Sequence, residues 1–445
     1  MPIARLFAIL LVFAAAALPS AAAATESGDP LEAEYDRLFL ELLQTPNDLD
    51  RMTRYAYLAT RFRDYEAAIG IFERMLLINP NLPTVRLEIG VLYYRLRAFD
   101  TAKPYLESAI EDASLPPTSK ARARRYLDNV DRRVARHSFS GAVLAGVRYQ
   151  SNANGGPSSP AVLSGGFPST LPDSALKDSD LNGFVSGRIR HRYNLDTPVD
   201  EAWITDVVFY GAKQVEHEEF DTGYMELRTG PKIALMTRGV DGLFIRPFFL
   251  GRVSFVDMDL YGQGYGGGVT VEKEGDDDSR IGIRYTGVYQ DFRETTSMPF
   301  PDSSDGVEHS ISAYFFERPT DDLSIFGAVA YSDEAAVSAH RSSNRIDVRA
   351  RISYLYDAPF GLTSWPWQVS LGGAYMYRDF MAPDPAVDPA TRRNDEEFRI
   401  SLANDFQFSR DWSVLWQLQY IETISNLPNF THDNLRTFVA AKRRF

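Results

Sequence analysis

From residue 138 to the end of the chain, side chains of two kinds alternate at successive positions. In the first such stretch, Phe139, Val143 and Tyr149 have one parity, and Ser140 and Arg148 have the other. Period two places successive side chains on opposite faces of a β-strand. The alternation recurs in fourteen segments, and we predict strands over residues 138–149, 181–194, 203–215, 224–236, 243–255, 265–273, 280–291, 308–318, 323–332, 344–356, 367–379, 396–409, 413–423 and 434–445.

One face of these strands is apolar and aromatic, as at Ile283, Leu371 and Ile400, and the other face carries many charges. A soluble sandwich and a membrane barrel would both show this alternation. Tyr and Trp gather toward the strand ends, and the charged face is too polar for a dry core. We therefore predict an all-β transmembrane barrel of fourteen antiparallel strands.

The connections between the predicted strands alternate in length. They tend to be long after odd-numbered strands, at residues 151–180, 292–307, 334–343 and 380–395, and shorter after even-numbered strands, at 237–242, 274–279, 319–322 and 410–412. Outer-membrane barrels have short periplasmic turns and longer outside loops. We expect both ends of the barrel sequence on the periplasmic side of the outer membrane of a Gram-negative bacterium.

The C-terminal segment is expected to close the barrel. Leu435, Val439 and Phe445 have one parity, whereas Arg436 and Arg444 have the other. Because an unpaired sheet edge is not tolerated in hydrocarbon, the last strand must pair with the first strand as well as with its predecessor.

The charged face predicts the lining of the barrel. Many arginines with scattered acidic residues are typical of a pore that is water-filled or plugged. The sequence leaves open whether such a pore is selective or only solvated. The arginines that we place in the lumen are Arg188, Arg190, Arg246, Arg252, Arg284, Arg349, Arg351 and Arg399.

The N-terminus has the pattern of an export signal. Arg5 precedes an apolar run from Leu6 to Leu18, and small residues follow as far as Ala24. This pattern predicts a secretory signal peptide over residues 1–24. The chain has no cysteine, so a cysteine-linked lipid anchor, disulfides and thiolate metal sites are excluded.

The next segment has a helical period and an internal repeat. A shift of 34 residues superimposes Ala68 on Ala102, and Pro80 follows the second helix of the first copy. Small residues where two helices touch, in copies of this length, resemble the tetratricopeptide repeat, of which two copies are secure. The resemblance predicts an all-α periplasmic domain of tetratricopeptide-like repeats over residues 25–137, followed by the barrel over residues 138–445.

The concave side of such repeats presents a groove that usually holds a peptide from a partner. A spacer that binds nothing is the alternative. The groove positions that we predict are Thr53, Tyr57, Thr60, Arg61, Leu87, Val91, Tyr94 and Arg95.

A basic segment, residues 118–137, ends the helical region and is expected to be a capping helix. Its charges belong either to a solvated face or to a face directed at the periplasmic mouth of the barrel or at lipid headgroups. The basic residues are Lys120, Arg122, Arg124, Arg125, Arg132, Arg133 and Arg136.

The sequence has no recognisable catalytic motif. It lacks a nucleophile elbow and a phosphate loop, and the six histidines have no metal-ligand spacing. We predict no enzyme activity, no metal site and no cofactor. The net charge of −13 argues against nucleic-acid binding, which needs a dominant basic surface.

Two short motifs carry a resemblance over nearly the whole mature chain. The barrel begins with Ala145-Gly-Val-Arg-Tyr-Gln-Ser-Asn-Ala-Asn154 and approaches its end with Ile424-Ser-Asn-Leu-Pro-Asn-Phe430. With the signal peptide, the repeats and fourteen strands, they resemble the surface lipoprotein assembly modifier family. The resemblance implies that Ser151, Asn152 and Asn154 shape the first external loop, since Asn and Ser readily bond their own backbone in turns.

The same resemblance implies a translocation factor. The repeats would receive a client surface lipoprotein or secreted protein, and the barrel would give it passage. The partners would be this client, outer-membrane lipid and the barrel assembly machinery during insertion. An exopolysaccharide exporter whose arginine-rich lumen guides an anionic polymer is one alternative, and a diffusion porin is another.

Overall fold

The structure is a computed structural model that describes residues 30–197, 200–235, 242–275, 279–295 and 304–445. The predicted signal peptide lies outside these residues, as do most of the predicted turn at 237–242 and part of the connection at 292–307. The chain divides into two compact units, Met1–Leu92 and Tyr93–Phe445.

The helical part contains six α-helices within the described residues, which confirms the all-α prediction. Asp48 and Asp64 cap the second and third helices, because their carboxylates accept hydrogen bonds from backbone N–H groups of the first turn. The helices are α1 (Pro30–Gln44), α2 (Leu49–Arg61), α3 (Tyr65–Ile78), α4 (Pro83–Arg95), α5 (Phe99–Glu111) and α6 (Pro117–Val134).

The first unit is held together by small and aromatic side chains. Ala56 on α2 and Ala68 on α3 are fully buried, which lets these two helices approach closely. Tyr35 on α1 stacks on Tyr55 of α2 with ring centroids 4.7 Å apart. Its hydroxyl also donates to the Asp64 carboxylate at 2.9 Å. A lead-in helix therefore covers the end of the first repeat.

The β part is a closed barrel of fourteen antiparallel strands, as predicted. A two-stranded hairpin, β2 (Ala161–Ser164) and β3 (Phe167–Thr170), lies in the first long connection. The barrel strands are β1 (His137–Gln150), β4 (Asp180–Asn194), β5 (Ala202–Gln214), β6 (Thr222–Ala234), β7 (Leu243–Val256), β8 (Asp259–Glu274), β9 (Arg280–Phe292), β10 (Gly306–Glu317), β11 (Leu323–Ala336), β12 (Ser343–Tyr356), β13 (Trp367–Phe380), β14 (Asn394–Gln407), β15 (Trp412–Ser425) and β16 (His432–Arg444).

The predicted start of β8 at residue 265 is wrong. The strand begins at Asp259, directly after a two-residue turn in which Asp257 and Met258 both have positive φ. Such a turn matches the twist of a hairpin. The glycines of this stretch hide the alternation, and a Cβ at Gly266 would lie 2.0 Å from the carbonyl oxygen of Gly287. Only glycine allows the two backbones to come so close.

The barrel closes as predicted. β16 pairs with β1 in a register that places Ala441 opposite Ala145 and Val439 opposite Val147. The Gly141 N–H donates to the Phe445 carbonyl at 3.0 Å. The last residue therefore takes part in the seam, and among the described residues the sheet has no unpaired edge.

The predicted alternation of connection lengths is only partly right. We call the end at which His137 begins β1 the helix end, and the opposite end the loop end. The three longest connections, 151–179, 293–305 and 381–393, lie at the loop end. The predicted loop at 334–343 shrinks, however, because β11 and β12 extend into it, and the β7–β8 connection at the same end has only two residues.

The outer face of the barrel is apolar. Ile283, Leu371 and Ile400 are each more than half exposed although they are large hydrophobic residues. Their strand neighbours of opposite parity point inward. Within the described residues, no helix is both long and apolar enough to cross a membrane.

Candidate functional site

A cavity of about 1450 Å³ lies inside the barrel. Ten strands, β1 and β4 to β12, form its wall, and helix α6 contributes Arg125, Asn129, Arg132 and Arg133 to its lining. The described residues that line it include thirteen arginines and one lysine, but only two aspartates and two glutamates. The cavity is therefore strongly cationic.

Five of the eight predicted lumen arginines meet in this cavity: Arg188, Arg190, Arg246, Arg284 and Arg349. The other three lie elsewhere in the barrel. Arg351 lines a smaller cavity of about 310 Å³. Arg252 on β7 donates to Glu308 on β10 at 2.8 Å, and Arg399 pairs with Glu397 two residues before it on β14.

The acidic residues of the barrel interior are shared among several cations. Asp206 on β5 accepts from Arg190 at 2.7 Å and from Arg246 at 2.6 Å. It was not among the predicted site residues. It has the parity of Ile204 and Val208, which line the cavity, so the alternation could have identified it as an inward-facing residue.

A second shared carboxylate lies near the helix end. Asp200, in the β4–β5 connection, pairs with Arg192 at 2.6 Å and with Lys232 at 3.2 Å, and also accepts from Arg133 of α6. Lys232 makes a further contact with Glu274 at 2.8 Å. Cations outnumber carboxylates in this cluster as well.

Three arginines on the cavity wall are poorly neutralised within the described residues. Arg188 is exposed and makes no ion pair there, and Arg284 donates only to the Thr270 hydroxyl, at 3.1 Å. Arg349 keeps 60% of its side chain exposed and contacts Asp347 at 3.4 Å. Asp347 also binds Arg345, at 2.9 Å. These guanidinium groups have unused donors.

Helix α6 lies across the helix end of the barrel. Its C-terminal Arg133 reaches Asp200 and Glu274, and Asn194 of β4 donates to the Arg133 carbonyl at 2.7 Å. Burial would lower the pKa of Arg133, but Tyr94, Asp200 and Glu274 together raise it. The charge is therefore held firmly at this edge of the barrel.

The other part of α6 contacts turns at distant points of the same rim. Arg122 pairs with Asp321 of the β10–β11 turn at 2.9 Å, and the Arg124 guanidinium lies 4.1 Å from the ring centre of Trp365. Asp128 binds Arg410 of the β14–β15 turn at 2.9 Å. The basic helix thus faces the mouth of the barrel, which confirms that interpretation over a purely solvated face.

The length of α6 matches the width of the barrel. Eighteen residues of α-helix span about 27 Å. Fourteen strands about 4.8 Å apart and tilted by about 40° enclose a cylinder about 28 Å across. The helix is therefore long enough to reach from one side of the mouth to the other.

The motif residues Asn152 and Ser151 tie the first loop to the seam between β1 and β16. The Asn152 N–H donates to Asn434 Oδ1 at 3.3 Å, and Asn434 Nδ2 donates back to the Asn152 carbonyl at 2.7 Å. Ser151 Oγ accepts from the Leu435 N–H at 2.8 Å. These bonds join residues at the two ends of the barrel sequence.

Asn154, the third motif residue, organises the loop itself. Its Nδ2 donates to the Leu176 carbonyl at 2.7 Å, and its Oδ1 accepts from the Asp178 N–H at 3.0 Å. Further along the loop, Gly165 lies in the turn of the β2–β3 hairpin, and its N–H donates to the Ala386 carbonyl at 2.9 Å. The first loop therefore contacts the connection at 381–393 on the loop end.

The predicted groove residues lie on α2 and α4. Thr53, Tyr57 and Arg61 are exposed on α2, and Tyr57 exposes 59% of its surface. Thr60 is half-buried, and its hydroxyl donates to the Ala56 carbonyl at 2.8 Å. On α4, Leu87, Val91 and Tyr94 are buried, and Arg95 is half-buried. Peptide binding at these positions stays a prediction.

No group of three or more His, Asp or Glu side chains in the described part of the chain is arranged to hold a metal ion.

A family model of the tetratricopeptide repeat matches residues 56–138. No curated protein matches the sequence. Among solved structures, MamA MSR-1 C2 is 17% identical over 23% of this chain, with a TM-score of 0.21, and the match spans 56% of the length of MamA.

The barrel resembles solved outer-membrane proteins. The outer membrane channel DcaP of Acinetobacter baumannii is 8% identical, with a TM-score of 0.37, over 69% of this chain and 97% of that chain. A bacterial polysaccharide outer membrane secretin is 9% identical, with a TM-score of 0.31, over 68% of this chain and 98% of that chain.

Proposed function

We propose that this protein is an outer-membrane translocation factor for a client lipoprotein or secreted protein. The N-terminal signal takes the chain across the inner membrane, and the barrel assembly machinery inserts the barrel into outer-membrane lipid. The helical repeats receive the client in the periplasm, and the barrel gives it passage to the cell surface. The protein acts as a conduit and not as an enzyme.

The observation that carries this proposal is the combination of two parts in one chain. A region that matches the tetratricopeptide repeat precedes a closed barrel with a large polar cavity. Repeats of this kind present surfaces for peptides. The apolar outer face of the barrel suits lipid, and its charged interior suits a hydrated cargo.

Helix α6 favours a gated conduit over a diffusion porin. It reaches from Asp200 on one side of the helix end to Asp321 and Arg410 on others. A freely diffusing solute would have to pass this helix. In the proposed function, arrival of a client displaces α6 from the mouth.

Deletion of the gene tests the proposal. Cells with and without the protein are compared by quantitative proteomics of peptides shaved from the cell surface with protease. We expect at least one surface lipoprotein or secreted protein to disappear from the surface while its total cellular amount persists. Expression of the wild-type chain should restore it. An unchanged surface proteome would refute translocation.

Export of an anionic exopolysaccharide is the second candidate, favoured by the cationic cavity. Thirteen lining arginines could guide a polymer that carries carboxylates. The same deletion strain distinguishes the two functions. Loss of capsule or secreted polysaccharide with an unchanged surface proteome would establish this candidate instead.

A further inference from the structure

The charge of the cavity is opposite to the charge of the chain. The whole sequence has a net charge of −13, yet cations lining the cavity outnumber carboxylates by fourteen to four among the described residues. Basic side chains are therefore concentrated on the wall of this cavity. Low-dielectric walls around charge of one sign focus its field and raise the local concentration of counter-ions.

The carboxylates of the described residues pair with many of these cations but leave Arg188 and Arg284 without an ion pair. Asp200 serves three cations and Asp206 serves two. Arg188, Arg284 and Arg349 retain donors that no carboxylate of the described chain satisfies fully. Because a guanidinium group is always charged and binds carboxylates in a fork, these three positions are suited to an external anion.

We infer that the cavity binds an acidic segment of the client polypeptide, whose Asp and Glu carboxylates contact Arg188, Arg284 and Arg349. This inference rests on the proposed function, because it names the chemistry of the cargo that the same barrel passes.

The volume of the cavity and the apolar residues in its lining favour a polypeptide over a small molecule or a polysaccharide. The volume of about 1450 Å³ exceeds the roughly 300 to 1,000 Å³ of small-molecule sites, so the cavity accommodates a polymer segment. Phe209, Phe316 and Phe326 also line it. A polypeptide supplies apolar side chains for these rings together with carboxylates, whereas an acidic polysaccharide supplies carboxylates and hydroxyl groups.

Direct binding tests the inference without requiring an open channel. The full-length protein in detergent is titrated against a fluorescein-labelled peptide in which glutamates alternate with leucines, and fluorescence anisotropy is measured. A glutamine–leucine peptide of the same length is the uncharged probe, and polygalacturonate is the polysaccharide competitor. We expect the acidic peptide alone to bind, with an affinity that falls as salt increases.

The decisive variant combines Arg188→Gln, Arg284→Gln and Arg349→Gln. We expect it to weaken binding of the acidic peptide by about tenfold or more, because charge-assisted hydrogen bonds are lost. Lys213→Gln, which neutralises one cation outside the cavity, should leave the affinity unchanged. Heat-modifiable migration on a gel verifies that each variant retains a folded barrel.

Three results would overturn the inference: no binding of the acidic peptide, equal binding to wild type and the triple variant, or stronger binding of polygalacturonate than of the peptide. Failure of the proposed function gives a different result. In that case the wild type would bind the acidic peptide and the triple variant would not, while deletion of the gene would leave the surface proteome unchanged.

Discussion

Neighbouring side chains on one strand meet opposite environments. On β14, Leu402 is 40% exposed on the outer face of the barrel. Ser401 has the inward parity, and a Cβ at Gly372 on β13 would lie 2.7 Å from its hydroxyl oxygen. If the outer face contacts lipid, an arginine there near mid-membrane costs about 2 to 4 kcal/mol, whereas the hydrated interior tolerates it.

We therefore predict that Leu402→Arg prevents assembly of the barrel and that Ser401→Arg does not. Assembly is measured as heat-modifiable migration of membrane-extracted protein and as resistance of the barrel to protease. Equal behaviour of the two variants would show that the two faces have been assigned wrongly.

The amide pair Asn152 and Asn434 is buried at the seam where the barrel closes. We predict that Asn434→Ala lowers the free energy of unfolding by about 1 to 3 kcal/mol, because buried polar groups of Asn152 lose their partner. Urea unfolding of the refolded barrel, followed by tryptophan fluorescence, measures the change.

Asn429→Ala is the control for the seam variant, since Asn429 bonds the Leu163 backbone in the hairpin instead of the seam. The urea concentration at which Asn429→Ala is half unfolded should stay near that of the wild type. A larger loss for Asn429→Ala than for Asn434→Ala would contradict this role of the seam.

We expect the stability of the protein to depend on pH through His217, which lies in the β5–β6 connection at the loop end. Burial would lower its pKa, but hydrogen bonds to Glu219 and Asp178 raise it above its ordinary value. A raised pKa in the folded state gives stability that is present in full below the ordinary pKa of about 6.5 and is lost as pH rises through the raised pKa.

The expected stability difference between wild type and His217→Gln is therefore largest below about pH 6 and vanishes in alkaline solution. Thermal unfolding in detergent across this range measures it. Asp178→Asn combined with Glu219→Gln should remove the same pH dependence. A difference that grows with increasing pH would contradict the assignment.

At the level of elements, α6 is fastened to the barrel by side chains at both of its ends. Arg133 anchors the C-terminal end through Asp200 and Glu274, while Arg122 and Arg124 hold the N-terminal half through Asp321 and Trp365. Release of either end would uncover part of the mouth. We expect α6 to alternate between this closed arrangement and one in which an end is released.

We predict that Arg122→Gln combined with Arg124→Gln raises the conductance of the protein in planar lipid bilayers. If the two substitutions destabilise the closed arrangement by about 1 to 2 kcal/mol relative to the open one, the ratio of open to closed channels rises about five- to thirtyfold. Lys120→Gln, on the same helix, is the control. No rise in conductance would show that α6 does not obstruct the mouth.

At the scale of the molecule, we expect the two compact units to have separable roles. They are Met1–Leu92 and Tyr93–Phe445. Deletion of residues 25–92 should leave a barrel that still shows heat-modifiable migration, because every barrel strand and α6 lie in the second unit. Delivery of the client should be abolished, since the first repeat and most of α4, the first helix of the second repeat, are gone. Surface proteomics of the deletion strain complemented with this variant measures delivery.

Normal delivery by this shortened chain would contradict a role of the deleted repeat helices in receiving the client. Loss of the heat-modifiable form would contradict the independence of the barrel.

The sequence alone determined the number and the facing of the barrel strands. Alternation is a local property, so the inward parity of Arg188 and Arg284 and the outward parity of Leu402 follow from neighbouring residues. The helical repeats were predictable for the same reason, since period and helix-ending residues are local. Prediction failed at the start of β8, where Gly262 and Gly264 leave no alternation of side chains to read.

The tertiary structure alone decided how the charged and polar side chains of the interior pair with one another. Arg133 and Asp200 are 67 residues apart, and Asn152 and Asn434 are 282 residues apart. No local pattern encodes such pairs, because closure of the sheet and the position of α6 bring them together. The sequence therefore predicted an arginine-rich lumen, and the fold determined which carboxylates are shared and which arginines remain available to an anion.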